Sequence, residues 1–261
     1  MNVSTRIECP KNMDAAEWEI RCDLAALYRL MAHYRMTDFI YTHISARLPG
    51  PEHHFLINQF GVLFEDMRAS DLVKIDMDAN IIDQDEANSK LINAAGFTIH
   101  SAIHAAREDL TCVVHTHTAA GMAVSAQAHG LLPITQHALK FYNRLSYHGY
   151  EGIALELDER PRLVADLGPT NRAMILHNHG LLAAGRSIPE AFLEIYYLER
   201  ACQAQISALA GGAKLIFPPV AVQEHTAKQF NPPEPYYSAH LKMAWQSALK
   251  VIDHSETDYR T

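Results

Sequence analysis

The residues best placed to do chemistry come in two short segments of one design. Val113-Val114-His115-Thr116-His117 and Ala173-Met174-Ile175-Leu176-His177-Asn178-His179-Gly180 each begin apolar and end in His-x-His, and in the second a glycine follows where the chain must turn. Alternate residues of an extended strand share a face, so His115 and His117 can turn toward one point. A second strand end delivering imidazole to the same place makes a metal site the leading reading. Neutral imidazole is the commonest ligand for zinc and also suits iron, nickel and copper. Without a metal, the same histidines would be partly buried and hydrogen-bonded. His100 and His104 stand one helical turn apart, a spacing that can bind metal, although hydrogen-bonded helix histidines are the commoner case.

These segments need a scaffold, and the hydrophobic pattern outlines one. Asp14 with Glu17 three residues later has the spacing of a capping box and predicts a helix over 15–34, with Ile20, Leu24, Leu27, Leu30 and Met31 on one stripe. Two strands, 44–48 and 54–57, flank the turn signal Pro49-Gly50-Pro51 and read as a hairpin. Further strands are expected at 72–76, 81–82, 113–117, 174–176 and 181–184. Helices are expected at 97–107, 118–129, 162–167, 187–209 and 238–252, and a loop around Tyr147–Tyr150. Ser187 and Glu190 with Pro189 mark a strong helix start. Gly211-Gly212 ends that helix, and the prolines between 213 and 235 read as an irregular linker. Some connections are too short for parallel crossovers. The expected fold is therefore α/β, a three-layer α/β/α arrangement about a mainly antiparallel or mixed sheet. Residues 1–212 would form one domain, and 213–261 a linker and a helix packed on that domain or at a subunit interface.

Composition narrows the function. The chain has 261 residues, of which 48% are hydrophobic, enough for a substantial core. No apolar run reaches the roughly 18 residues of a membrane span, and Met1–Glu8 lacks the pattern of a secretory signal. Cys9, Cys22, Cys112 and Cys202 are scattered, which fits free thiols in a cytoplasmic protein. A formal net charge of −8 with no Lys/Arg block argues against nucleic acid as a partner.

Four segments in order resemble the class II aldolase/adducin family, and most of all its adducin-like branch: 55–64 (FLINQFGVLF), 95–103 (AGFTIHSAI), 113–118 (VVHTHT) and 177–181 (HNHGL). The likeness extends from about residue 16 to 209. It implies a homotetramer with its cleft at a subunit boundary, and a divalent metal held by His115, His117 and His179, with His177 a neighbour. Zinc comes first, with Mn, Fe, Co or Ni as alternatives. The departures are as informative. The family's sugar-phosphate aldolases carry a metal-binding, acid/base glutamate where this chain has Gly96, and phosphate-binding serines where it has Ala94 and Ala95. Their phosphate loop reads Thr42-His43-Ile44-Ser45 here. Ser45, Gly61 and backbone amides remain as donors, and His43 is a candidate either for substrate contact or for a hydrogen bond within the loop.

The expected activity is that of a metal-dependent lyase, cleaving by retro-aldol or decarboxylation through a metal-stabilised enolate. The substrate would be a small hydroxy or keto carbonyl compound without phosphate. His137 falls near where family aldolases place a tyrosine from a neighbouring subunit and is the candidate proton carrier; Tyr142, Tyr147 and His148 are weaker ones. Glu199 reads as a buried structural carboxylate. Two other readings stand beside this one. Adducins share the domain, lack the same glutamate and act as actin- and spectrin-binding adaptors, although they attach a long tail with a basic region and no basic run is seen here. An iron-dependent oxygenase is the third.

Overall fold

The computed structural model describes residues 9–11, 13–82, 91–253 and 258–261; the segment Met1–Glu8, read above for a signal, lies outside them. In chain order the elements are α1 (Ala15–His33), β1 (His43–Arg47), β2 (Phe55–Ile57), β3 (Val73–Ile75), α2 (Ala94–Ala106), β4 (Cys112–Thr116), α3 (Ala119–Ser125), α4 (Gln136–Leu139), β5 (Leu145–His148), α5 (Arg160–Leu167), β6 (Ala173–Leu176), β7 (Gly180–Gly185), α6 (Ile188–Leu209), α7 (Val220–Gln229) and α8 (Tyr236–Ile252). The seven strands form one mixed sheet in the order β3-β2-β1-β4-β7-β6-β5. Every neighbouring pair is antiparallel except β5 with β6.

Side-chain alternation divides the core between the two faces of the sheet. Cys112 and Val114 of β4, Leu181 and Ala183 of β7 and Ile175 of β6 pack with α1, α6 and α8. Val113, Met174, Leu182 and Ala184 face the other way and pack with Ile99 and Ile103 of α2 and Leu163 and Leu167 of α5. This is the expected three-layer α/β/α architecture. Trp245, Ala248 and Ile252 of α8 join the first of these cores. Tyr28 of α1 reaches the sheet, where its hydroxyl accepts from the backbone N–H of Ile44 (2.9 Å) and Asn58 (3.0 Å). No helix among the described residues is long and apolar enough to cross a membrane.

Several local expectations are corrected. The region read as a loop around Tyr147 contains β5, which pairs in parallel with β6. Its inward residues are the polar Ser146 and His148, so its hydrophobic pattern runs against its burial. The supposed linker contains α7, with Pro219 at the N-cap, where the missing N–H costs nothing. Helix α2 starts three residues earlier than expected because Asn93 caps it, its side chain accepting from the Ala95 and Gly96 N–H groups. Helix α3 ends at Ser125, short of the expected 129. The strand expected at 81–82 reduces to an isolated bridge, Ile75 with Ile81.

Candidate metal centre

Strand β4 delivers His115 from its last turn of pleat, and His117 follows one residue beyond its end. Strands β6 and β7 meet in a tight hairpin, Leu176 pairing with Gly180, and its three-residue loop carries His179. The reversal depends on Asn178, at φ 54°, a left-handed conformation that asparagine tolerates better than most residues. Gly180 serves a different purpose from the turn expected of it. A Cβ there would drive into the carbonyl oxygen of Thr116, so glycine is what lets the hairpin close down on the end of β4.

The result is a cluster of three imidazole nitrogens. His115 Nε2 lies 2.8 Å from His117 Nε2 and 3.2 Å from His179 Nε2, and the last two are 2.9 Å apart. Second contacts fix how two of the rings are protonated. His115 donates from Nδ1 to the Leu181 carbonyl at 2.9 Å, and a carbonyl only accepts. His117 Nδ1 faces Asp38 Oδ2 at 2.9 Å. With the protons on Nδ1, the Nε2 atoms of both rings present lone pairs to one point. Burial holds His115 well below the ordinary imidazole pKa, and burial followed by the charges of His117 and His148 lowers His179 to about 4. Neutral rings that aim lone pairs at each other repel unless a cation stands between them. Nitrogens each roughly 2.0–2.1 Å from one ion lie close to the separations found here. The donor set therefore fits a divalent metal, and the Nδ1 partners are the outer-shell contacts that such ligands normally make.

Asp38 escaped the sequence reading. It sits 79 residues from His117, between Arg35 and Phe39, both at positive φ, and no local pattern marks it. His177 is not in the cluster; its Nδ1 meets the Ser125 carbonyl at 3.2 Å and its ring stacks on Tyr147.

The other candidates fall in three places. His43 pairs with His115 across β1 and β4 and stacks on it, with ring centroids 5.0 Å apart. Behind it runs a buried polar chain: His43 Nδ1 to His100 Nε2 (2.7 Å), His100 Nδ1 to Ser45 Oγ, and Ser45 Oγ to His104 Nε2 (2.8 Å). Ser45 is thus spent on supporting imidazoles rather than facing a ligand, and the helical pair His100 and His104 is hydrogen-bonded apart from the three-histidine cluster. Burial pushes His43 and His100 well below the usual pKa, and His104 to about 3. Gly61 is exposed, at φ 95°. His137 lies on α4 with its ring on Tyr197 of α6 and is not one of the converging imidazoles. His148 is buried between Asp166 (2.7 Å) and Glu159 (3.2 Å). Glu199, its pKa raised by burial, accepts hydrogen bonds from Thr118 and Gln203.

Comparison with known proteins bears on the fold and the family. The family described as Class II Aldolase and Adducin N-terminal domain matches residues 22–206. An aldolase II superfamily protein from Pseudomonas syringae of known structure is 52% identical, with a TM-score of 0.87 over 95% of this chain and 98% of that one. L-fuculose 1-phosphate aldolase from Glaciozyma antarctica PI12 superposes with a TM-score of 0.81 at 26% identity over 97% of each chain. Alpha-adducin from Rattus norvegicus is 45% identical over 76% of this chain, a stretch that makes up 26% of that protein.

Proposed function

The chain belongs to the class II aldolase and adducin family, and on that premise we propose that it is a metal-dependent lyase acting on a small hydroxy or keto carbonyl compound that carries no phosphate. The observation that carries the reading is the convergence of three Nε2 atoms within 3.2 Å of one another, two of them with tautomers set by outer contacts. His115, His117 and His179 would hold one divalent ion, zinc first. An ion held by three neutral ligands keeps open positions and acts as a Lewis acid on a carbonyl oxygen, which is the demand of carbon–carbon cleavage beside a carbonyl.

The chain's own residues set the rest. Residues 94–96 are Ala, Ala and Gly and offer no side-chain donors or carboxylate, so a phosphate would lose charge-assisted bonds of roughly 1.5–3 kcal/mol each. His137 is the candidate proton carrier, reaching the cleft from a second copy in a homotetramer. The four cysteines are unpaired, in keeping with a cytoplasmic setting.

Two measurements test the reading. Metal content of protein purified without added metal, against His117→Ala, should fall from one ion per chain to near zero. Matched phosphorylated and unphosphorylated carbonyl substrates should show preference for the latter, and preference for the sugar phosphate would refute the substrate class. The likeness to alpha-adducin supports a second reading, a non-catalytic adaptor; tight co-sedimentation with actin filaments and no turnover would favour it.

A further inference from the structure

The one parallel strand pair of the sheet brings two arginines together. β5 and β6 run side by side with Leu145 opposite Ala173, so the residues just before them, Arg144 and Arg172, are neighbours. Both line a cavity of about 320 Å³, together with Lys140, Glu194, Thr170 and Asn231. The cavity stands at the start of β6, whereas the hairpin that carries His179 follows the other end of that strand. It is therefore separate from the three-histidine cluster.

Like charges set side by side repel, and each cation needs a counter-charge. Arg172 has one: it bonds Glu190, lies 3.7 Å from Glu194 Oε1 and donates to Asn231 Oδ1 at 2.8 Å. Lys140 is only 7% exposed, and its Nζ lies 2.7 Å from Glu194 Oε1. Glu190 is shared with Arg186, at 2.9 Å. Arg144 has no such partner. Its side chain makes no hydrogen bond or ion pair among the described residues, and neither does the Thr170 hydroxyl at the same opening. The lining thus sets three cations, Lys140, Arg144 and Arg172, against the single carboxylate of Glu194, in a chain whose formal net charge is −8. Glu190 behind the wall is matched by Arg186, Arg107 and Asp109 pair with each other at 2.8 Å, and Glu234 lines the adjoining groove rather than this cavity.

We propose that this cavity is a binding site for a small dianion, a phosphate monoester or a dicarboxylate, held between the guanidinium groups of Arg144 and Arg172 with the Thr170 hydroxyl as a further donor. The volume suits a small metabolite. A planar guanidinium matches the paired oxygens of a carboxylate or a phosphate, and two charges on the ligand balance the two left over in the lining. Lys140 is held by Glu194 and adds to the field from the buried wall. The carboxylate of Glu194 opposes the ligand and keeps the affinity moderate, about 1 mM or somewhat tighter for two charge-assisted contacts. The proposal is independent of the metal reading.

The test is calorimetric titration of the full-length protein with inorganic phosphate and, separately, with malonate, each against chloride at matched ionic strength. At least one dianion should bind saturably where chloride does not, and the stronger of the two identifies the chemical source. Failure of both to bind overturns the proposal. Arg144→Ala, a change at an exposed side chain, should weaken binding about tenfold while thermal unfolding without ligand stays near the parent. Glu194→Gln keeps an acceptor for Lys140 but removes the opposing charge, and should tighten binding about threefold. Arg68→Ala removes the same charge at an exposed position ahead of β3 and should leave binding unchanged. His117→Ala should also leave it unchanged. Loss of binding in His117→Ala with full binding in Arg144→Ala would assign the anion to the three-histidine cluster and overturn the proposal. Equal weakening by Arg144→Ala and Arg68→Ala would reduce the effect to net charge and overturn it too.

Discussion

Replacing Asp38 separates a metal centre from a merely packed histidine cluster. Asp38 Oδ2 accepts a hydrogen bond from His117 Nδ1 at 2.9 Å, which keeps the lone pair of His117 on Nε2. Removing such an outer partner typically costs a factor of about 10 to 100 in metal affinity. The Asp38 side chain is 45% exposed, so water can replace part of what it supplies, and the low end applies: about tenfold for Asp38→Ala, or about 1.4 kcal/mol. Asp38→Asn keeps an acceptor without the charge and should lose less, around threefold. Folding responds differently. A half-exposed pair is worth only about 0–1 kcal/mol, so the metal-free variants should melt within a few degrees of the parent. The assay is competition for zinc against a chelator of known affinity, paired with thermal unfolding of the metal-free proteins. The reasoning fails if Asp38→Ala binds zinc as tightly as the parent, or if stability falls while affinity holds.

Three further outcomes follow from the packing and charge of the fold. Gly180→Ala places a Cβ against the Thr116 carbonyl oxygen and 3.2 Å from His117 Cδ2; thermal unfolding should show a loss of about 2 kcal/mol and zinc binding should weaken, whereas Gly149→Ala, with nothing within 4 Å, should be near neutral. Buried His104 has a folded pKa of about 3 against about 6.5 unfolded. As pH falls below 6.5, the unfolded chain gains a proton the folded one refuses, so metal-free stability should drop by roughly 1.4 kcal/mol per pH unit from this group until about pH 3. Denaturant titrations of His104→Gln should show a slope shallower by about that amount. Lys140 and Glu194 form a buried pair at 2.7 Å; Lys140→Met leaves the carboxylate only Arg172, 3.7 Å away, and should cost about 2 kcal/mol, less than the full loss of a buried partner, with much of that regained in Lys140→Met/Glu194→Leu.

Both His-x-His endings are legible in the sequence because strand alternation and an apolar run are local facts, and so are the capped helices α1 and α6, whose stripes and start signals lie within a few residues. The largely antiparallel pairing follows from connections too short for parallel crossovers, whereas the one parallel pair, β5 with β6, is not legible because β5 reads as a loop. What escapes is whatever depends on residues far apart in the chain. Strand β5 hides because its buried residues, Ser146 and His148, are polar and find their partners at Leu167, Asp166 and Glu159 only once α5 has packed against it. Gly180 reads as a turn residue, but its need for glycine comes from the Thr116 oxygen of another strand. Asp38 has no local signature, and the pairing of β1 with β4 is what lays His43 over Gly96 and against His115. Local propensity and periodicity record what a residue's neighbours in the chain prefer. The tautomer of an imidazole, the space at a glycine and the direction of a lone pair are settled by contacts that exist only after strands and helices have met.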